Sequence, residues 1–231
     1  MSEKIIIALD HENFEQSQQA VASLPAAVFF KVGLQGFLEY GDAIVSVLRE
    51  KGKKLFLDLK FHDIPNTVHG AVNSALKYEP DFLTIHLAGG KAMAREALEA
   101  ASRHPGLTIL GVTVLTSLAD SDLLQMGMNP PVAERVLQLV EMGVKAGVRG
   151  FVCSPHEIAP LRQRFGREII LVTPGIRPQG SESGDQKRVF TPQMAIAAGS
   201  DYLVIGRPVT QAPDPAAVFS RIVSEIRPGG K

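Results

Sequence analysis

The sequence predicts an α/β protein closed into a (β/α)8 barrel. Three observations carry that expectation: eight short apolar runs, amphipathic segments of helical period between them, and no glycine-rich turn after the first run. The runs lie at residues 5–9, 28–32, 55–59, 82–87, 108–115, 151–153, 169–172 and 202–205. Strands buried on both faces of a parallel sheet read as continuous apolar runs rather than as an alternation. Helices between consecutive strands supply the crossovers that parallel pairing requires. Eight such units in 231 residues fit a TIM-type barrel better than an open sheet.

Taken in order, the first run, Ile5-Ile6-Ile7-Ala8-Leu9, gives way to Asp10-His11-Glu12. A doubly wound dinucleotide-binding sheet would place G-x-G-x-x-G at that point, so that architecture is the weaker reading. After the third run, Val68, Ala71, Val72, Ala75 and Leu76 fall at i, i+3, i+4, i+7 and i+8, one face of a helix. Val132, Val136, Leu139 and Val140 repeat the pattern before the sixth run, and Val218, Phe219, Ile222, Val223 and Ile226 repeat it after the eighth. No linker, composition break or low-complexity segment interrupts this beat, so residues 1–231 read as a single barrel domain. The one irregular stretch, 175–186, is glycine-rich and follows the seventh run, the place and composition of a lid.

Hydrophobic residues make up 45% of the chain and charged residues 21%, with 24 Lys+Arg against 24 Asp+Glu. That zero balance argues against nucleic-acid binding, which needs a basic stripe to displace counterions. Any anion the protein binds must be small and locally held. The one cysteine, Cys153, lies in Gly150-Phe151-Val152-Cys153, reads as buried filler, and fits a reducing compartment. The apolar run at 5–9 is too short for a signal segment, and no stretch approaches the roughly 18 apolar residues of a membrane span. A cytoplasmic protein without membrane association is the expectation.

In a barrel of this kind the reactive groups gather where strands end. Those positions hold Asp10, Lys31, Asp58, Lys60, Thr116 and Gly206-Arg207. Asp58 and Lys60 are two apart, so on an extended strand both side chains point to one face. Asp63 follows in Asp58-Leu59-Lys60-Phe61-His62-Asp63, and an ammonium among such carboxylates is held charged and aimed. A solvated strand end with a salt bridge is the alternative. Lys31 weakens it, as a second inward cation with no obvious structural purpose. Asp63-Ile64-Pro65-Asn66-Thr67 reads as a helix start, so capping is the competing role for Asp63, and Asp63 and Thr67 would share a helical face. Pro174-Gly175 and Gly206-Arg207-Pro208 follow the last two runs, where barrels commonly hold a phosphate. Arg177, Gln179 and Gln186 on the long stretch would close over the same anion. His62, His69 and His86 lack metal-ligand spacing, while Asp10, Asp58 and Asp63 are oxygen ligands that leave Mg2+ open.

The string Asp58-Leu59-Lys60-Phe61-His62-Asp63-Ile64-Pro65-Asn66-Thr67 closely resembles the signature of the orotidine 5′-phosphate decarboxylases in their bacterial form. Ile7-Ala8-Leu9-Asp10, Phe30-Lys31-Val32-Gly33, Thr113-Val114-Leu115-Thr116-Ser117, Thr173-Pro174-Gly175-Ile176-Arg177-Pro178, Gly184-Asp185-Gln186 and Val204-Ile205-Gly206-Arg207 resemble that family in the same order. No motif position departs from it. The resemblance implies decarboxylation of orotidine 5′-phosphate to UMP, without cofactor or metal, in a homodimer with shared sites. It implies that Asp58 faces the departing carboxylate, that Lys60 stabilises and protonates the C6 carbanion, and that Lys31 binds near the ribose. Asp10 would then hold a ribose hydroxyl and Thr116 the pyrimidine edge, with Arg177, Gln186, Gly206 and Arg207 at the phosphate. Asp63, Ile64 and Thr67 would reach into the partner's site. Phosphosugar barrels that share Asp-x-Lys-x-x-Asp but use Mg2+ lack the Ile-Pro-Asn-Thr continuation, and a catalytically silent phosphate-binding barrel would not need the charged array.

Overall fold

The computed structural model describes residues 1–129, 131–178 and 190–227. The first half of the chain runs β1 (Ile5–Leu9), α1 (Phe14–Ser23), β2 (Phe29–Gly33), α2 (Leu34–Glu50), β3 (Lys54–Phe61), α3 (Pro65–Ala75), β4 (Phe82–His86), α4 (Gly90–Ala101) and β5 (Thr108–Val112). The second half runs α5 (Asp120–Gln125), α6 (Val132–Ala146), β6 (Gly150–Val152), α7 (Ile158–Phe165), β7 (Ile170–Thr173), α8 (Pro192–Ala198), β8 (Tyr202–Ile205), α9 (Arg207–Thr210) and α10 (Pro215–Glu225). The eight strands follow one another in sequence order around a closed barrel. All eight predicted strands are present, and the fold class is the expected one.

The chain packs as two compact units, Met1–Leu59 with Val172–Lys231, and Lys60–Leu171. In the first unit β1 lies parallel between β2 and β8, with Leu9 opposite Val32 and Ile7 opposite Ile205. All five β1 residues are buried, which is why the strand reads as one unbroken apolar run. Asn13 caps α1 by accepting from Gln16 N, and Asp214 caps α10 by accepting from Ala217 N. Phe219, Ile222 and Ile226 form the buried face of α10 and its C-cap, as the periodicity predicts. In the second unit β4, β5 and β6 pair in parallel, and α3 buries Val68, Val72 and Ala75. Helix α6 buries Val136, Leu139 and Val140.

Most strand boundaries lie within one residue of the sequence reading, and two differ by more, each for a physical reason. The fifth strand stops at Val112 rather than at residue 115, because its neighbour β6 is only three residues long and pairs no further than Val152 opposite Val112. Thr113 and Val114 have strand propensity but no ladder to join. Thr116 therefore sits in an exposed turn closed by Leu118 N donating to Leu115 O, not on a strand end. The third strand instead runs on to Phe61, and Lys60 within it adopts a left-handed backbone with φ 50. The pleat that would put Asp58 and Lys60 on one face is interrupted at Lys60 itself.

Cys153 is buried, as expected of filler. Four residues further along the chain, a buried carboxyl makes a pH signature. Glu157 accepts from Ser154 N at 2.8 Å; burial raises its pKa, and the Ser154 hydrogen bonds only partly offset that rise. The folded protein then holds a proton on Glu157 at pH values where the unfolded chain has lost it, so this group's contribution to stability falls as pH climbs from its ordinary value through the raised one. Glu157→Gln keeps an acceptor for Ser154 N, and urea titrations from pH 4 to 7 are expected to show a shallower loss of stability than wild type. Parallel pH profiles for the two proteins would refute the assignment.

Candidate active site

The register of the first unit builds a charged cluster. Ala8 pairs with Lys31 and Gly33 with Asp58, so Asp10, one residue past β1, Lys31 on β2 and Asp58 on β3 come together. Lys31 Nζ lies 2.9 Å from Asp10 Oδ1 and 3.5 Å from Asp58 Oδ2. The Lys31 side chain is 10% exposed and that of Asp58 14%, whereas Asp10 is 59% exposed. Burial is the largest single influence on Lys31 and lowers its pKa. The charges and hydrogen bonds of Asp58 and Asp10 together outweigh it, and the ammonium is held above the ordinary lysine value. What the network adds to stability is thus intact at neutral pH and lost only as pH rises through that raised value. An ammonium thus spans the Asp10 and Asp58 carboxylates.

Gly33 makes that approach feasible. A Cβ there would stand 3.2 Å from Lys31 Nζ and 3.3 Å from Asp10 Oδ1. Gly33→Ala is expected to push the two apart by a few tenths of an ångström and lower kcat/KM about tenfold, since sub-ångström misplacement in a preorganised site is costly. Steady-state kinetics and a thermal midpoint within a few degrees of wild type would separate this from unfolding. Gly206, just after β8, comes equally close: its Cβ would be 3.3 Å from Ala8 Cβ and 3.8 Å from Asp10 Oδ2. Arg207 opens α9 and is exposed. At the foot of the predicted lid, Arg177 N donates to Phe190 O at 3.1 Å and Ile176 bridges Phe190. Gln179 and Gln186 lie outside the described residues.

In the second unit Lys60 N donates to Thr84 Oγ1 at 2.9 Å, and Thr84 is fully buried on β4. That bond steadies a non-glycine residue at positive φ, a backbone arrangement that costs about 1 kcal/mol and concentrates at functional positions. Sequence reasoning missed Thr84, because a threonine inside an apolar strand carries no signal of its own. The rings of His62 and His86 lie 5.4 Å apart. Asp63 does not cap α3: the N-cap position is Ile64, without a side-chain cap, and Asp63 Oδ1 accepts from Ile64 N at 2.7 Å. The shared helical face for Asp63 and Thr67 is also absent, since α3 begins at Pro65. Asp63, Ile64 and Thr67 are all exposed, Ile64 at 67% despite its apolar side chain. Thr116 rims an apolar cavity of about 420 Å3 lined by Leu118, Val136, Ser154, Glu157 and Leu161. The spacing argument for the histidines overlooked one grouping: His69 Nδ1 meets Glu96 Oε2 at 3.1 Å with Glu99 nearby, a hydrogen bond across α3 and α4.

A closed parallel barrel with lysine and aspartate side chains at its strand ends places the protein in the class of (β/α)8-barrel enzymes. The chain belongs to the orotidine 5′-phosphate decarboxylase / HUMPS family, which its residues 3–222 match. It is 48% identical over 230 residues to the orotidine 5′-phosphate decarboxylase of Mannheimia succiniciproducens, covering 98% of each chain. To that of Thermobifida fusca it is 47% identical, covering 100% of this chain and 98% of the other. The crystal structure of orotidine 5′-phosphate decarboxylase from Lactobacillus acidophilus superposes with a TM-score of 0.87 at 37% identity, over 98% of this chain and 100% of that one.

Proposed function

We propose that this protein converts orotidine 5′-phosphate to UMP and CO2, the closing step of de novo UMP synthesis. The observation that carries the reading is the buried Lys31 ammonium held between Asp10 and Asp58, two residues ahead of Lys60 on the same strand. In the reaction the C6–carboxylate bond breaks, its electron pair stays on C6, and CO2 leaves. That carbanion has little resonance relief, so a preorganised cation beside C6 is the most direct stabiliser a protein can supply. Lys60 provides it and then gives up a proton to C6. Asp58 faces the departing carboxylate, adding ground-state repulsion, and helps hold the Lys31 ammonium charged. Lys31 and Asp10 take the ribose, Thr116 the pyrimidine edge, and Arg177, Gln186, Gly206 and Arg207 the phosphate.

The reading includes a homodimer of single-domain barrels, residues 1–231, with Asp63, Ile64 and Thr67 completing the partner's site. The exposed, uncapped loop before α3 and the bare Ile64 side chain support it. No resident cofactor or metal is needed, and the reaction belongs in the cytoplasm. Neither nucleic acid nor membrane is a partner: charge is balanced, and among the described residues no helix is long and apolar enough to cross a membrane. The test is the absorbance change as orotidine 5′-phosphate becomes UMP, run with and without chelator. Turnover that survives chelation supports the proposal, turnover abolished by it would overturn the metal-free reading, and no turnover of orotidine 5′-phosphate at all would favour a Mg2+-dependent phosphosugar reaction. Arg207→Ala is expected to raise KM about 10- to 100-fold, the worth of a charge-assisted hydrogen bond. Its effect on a substrate lacking the phosphate should be small; equal losses on both substrates would make Arg207 structural.

A further inference from the structure

Asp10 has a weakness as a binding group: it is mostly exposed, and one bond to Lys31 Nζ holds it. The next residue in the chain, His11, is held far more firmly. Tyr40 Oη, on α2, donates to the His11 carbonyl at 2.9 Å. Ser17 Oγ, on α1, lies 2.9 Å from Tyr40 Oη and 3.2 Å from His11 Nδ1. Counting protons gives this circuit a single direction. A tyrosine hydroxyl has one proton, which goes to the His11 carbonyl, so Ser17 must donate to Tyr40. The Ser17 hydroxyl is then used, so His11 must carry its proton on Nδ1 and donate to Ser17. His11 is thereby fixed as the Nδ1–H tautomer, with Nε2 left as the acceptor nitrogen. Burial lowers the His11 pKa against the opposing pull of Asp10, which keeps the ring in that neutral form.

The fold makes room for this circuit at some expense. Tyr40 has non-helical torsions, φ −146 and ψ 26, that interrupt α2. A Cβ on Gly36 would come within 2.8 Å of Tyr40 Oη, so the preceding turn must be bare for the hydroxyl to sit where it does. Ser17 is fully buried and Tyr40 8% exposed, which strengthens each bond by excluding water. With Leu9 locked in β1 on one side and the His11 carbonyl pinned on the other, the main chain of Asp10 has little freedom.

We infer that His11, Ser17 and Tyr40 are positioning residues whose closed hydrogen-bond circuit holds the Asp10 carboxylate on Lys31 for the substrate's sugar hydroxyl. This rests on the proposed decarboxylation and on the role given there to Asp10. The test is a double-mutant cycle in the full-length protein, with Tyr40→Phe, Asp10→Asn and the pair compared in kcat and KM. Removing one hydroxyl from an otherwise unchanged ring is expected to lower kcat/KM about tenfold in the wild-type background and less than about twofold in the Asp10→Asn background, because coupled groups are non-additive. Ser17→Ala leaves the Tyr40–carbonyl bond in place and should give a smaller loss of about threefold with the same dependence on Asp10. Thermal midpoints are read for all variants, since a merely structural role lowers stability and activity alike in both backgrounds. Equal losses with and without Asp10, or no loss from either variant, would overturn the inference alone. A wild-type protein inert toward orotidine 5′-phosphate, or an Asp10→Asn variant with full activity, would overturn the underlying role of Asp10 and this inference with it.

Discussion

Lys60→Ala is expected to leave a folded protein and reduce kcat by about 10^4-fold or more. One cation is asked both to stabilise the carbanion and to supply its proton, and each contribution alone is worth about 10^2- to 10^3-fold or above. No second group inherits both tasks, since Lys31 is already committed to Asp10 and Asp58. The fold should survive because the bond that anchors this residue runs from its main-chain N to Thr84 Oγ1, which alanine keeps. Single-turnover measurement of UMP formation checks the loss, and activity within tenfold of wild type would sink the mechanism. Lys60→Gly is the informative companion. Glycine accepts φ 50 without penalty, so this variant should be equally inactive yet more stable than Lys60→Ala by about 1 kcal/mol, a rise of about 2–4 °C in Tm. The strained backbone would then be measured at the residue to which we assign the chemistry, separately from the chemistry itself.

How much of this was legible in the sequence depends on what each feature answers to. The strands were legible because parallel pairing buries both faces, and Ile5–Leu9 has no polar residue to blur the signal. Their ends were less so, since β5 stops where its short neighbour β6 runs out of partners, a fact held elsewhere in the chain. Asp10, Lys31 and Asp58 were found by asking what stands at strand ends, and the parallel register brings them within salt-bridge reach. Lys60 was singled out by a spacing argument that its own left-handed backbone breaks. Thr84, Gly33 and the circuit of His11, Ser17 and Tyr40 were not legible. A buried threonine, a glycine after a valine and a tyrosine in an amphipathic helix are each ordinary alone, and only their tertiary contacts set them apart.

Mixing two inactive variants is expected to restore activity, the second large effect. Lys60→Ala chains and Asp63→Ala chains are combined under conditions that exchange subunits. If Asp63 serves the partner's site, one site of each heterodimer inherits both defects, and the other receives an intact Lys60 and an intact Asp63. Random exchange at equal ratio makes about half of the dimers hybrid, with one of two sites restored, so about a quarter of all sites become wild type by the symmetry of a twofold interface. The exposed placement of Asp63 and Ile64, with α3 starting only at Pro65, is the geometry such a loop needs to reach across. Were each site built within one chain, every site in the mixture would carry a defect. Titrating the ratio gives a second check: the restored fraction should follow the product of the two chain fractions and peak at equal amounts. A mixture no more active than the average of its components, with exchange confirmed by mass spectrometry of tagged chains, would remove Asp63 from the partner's site.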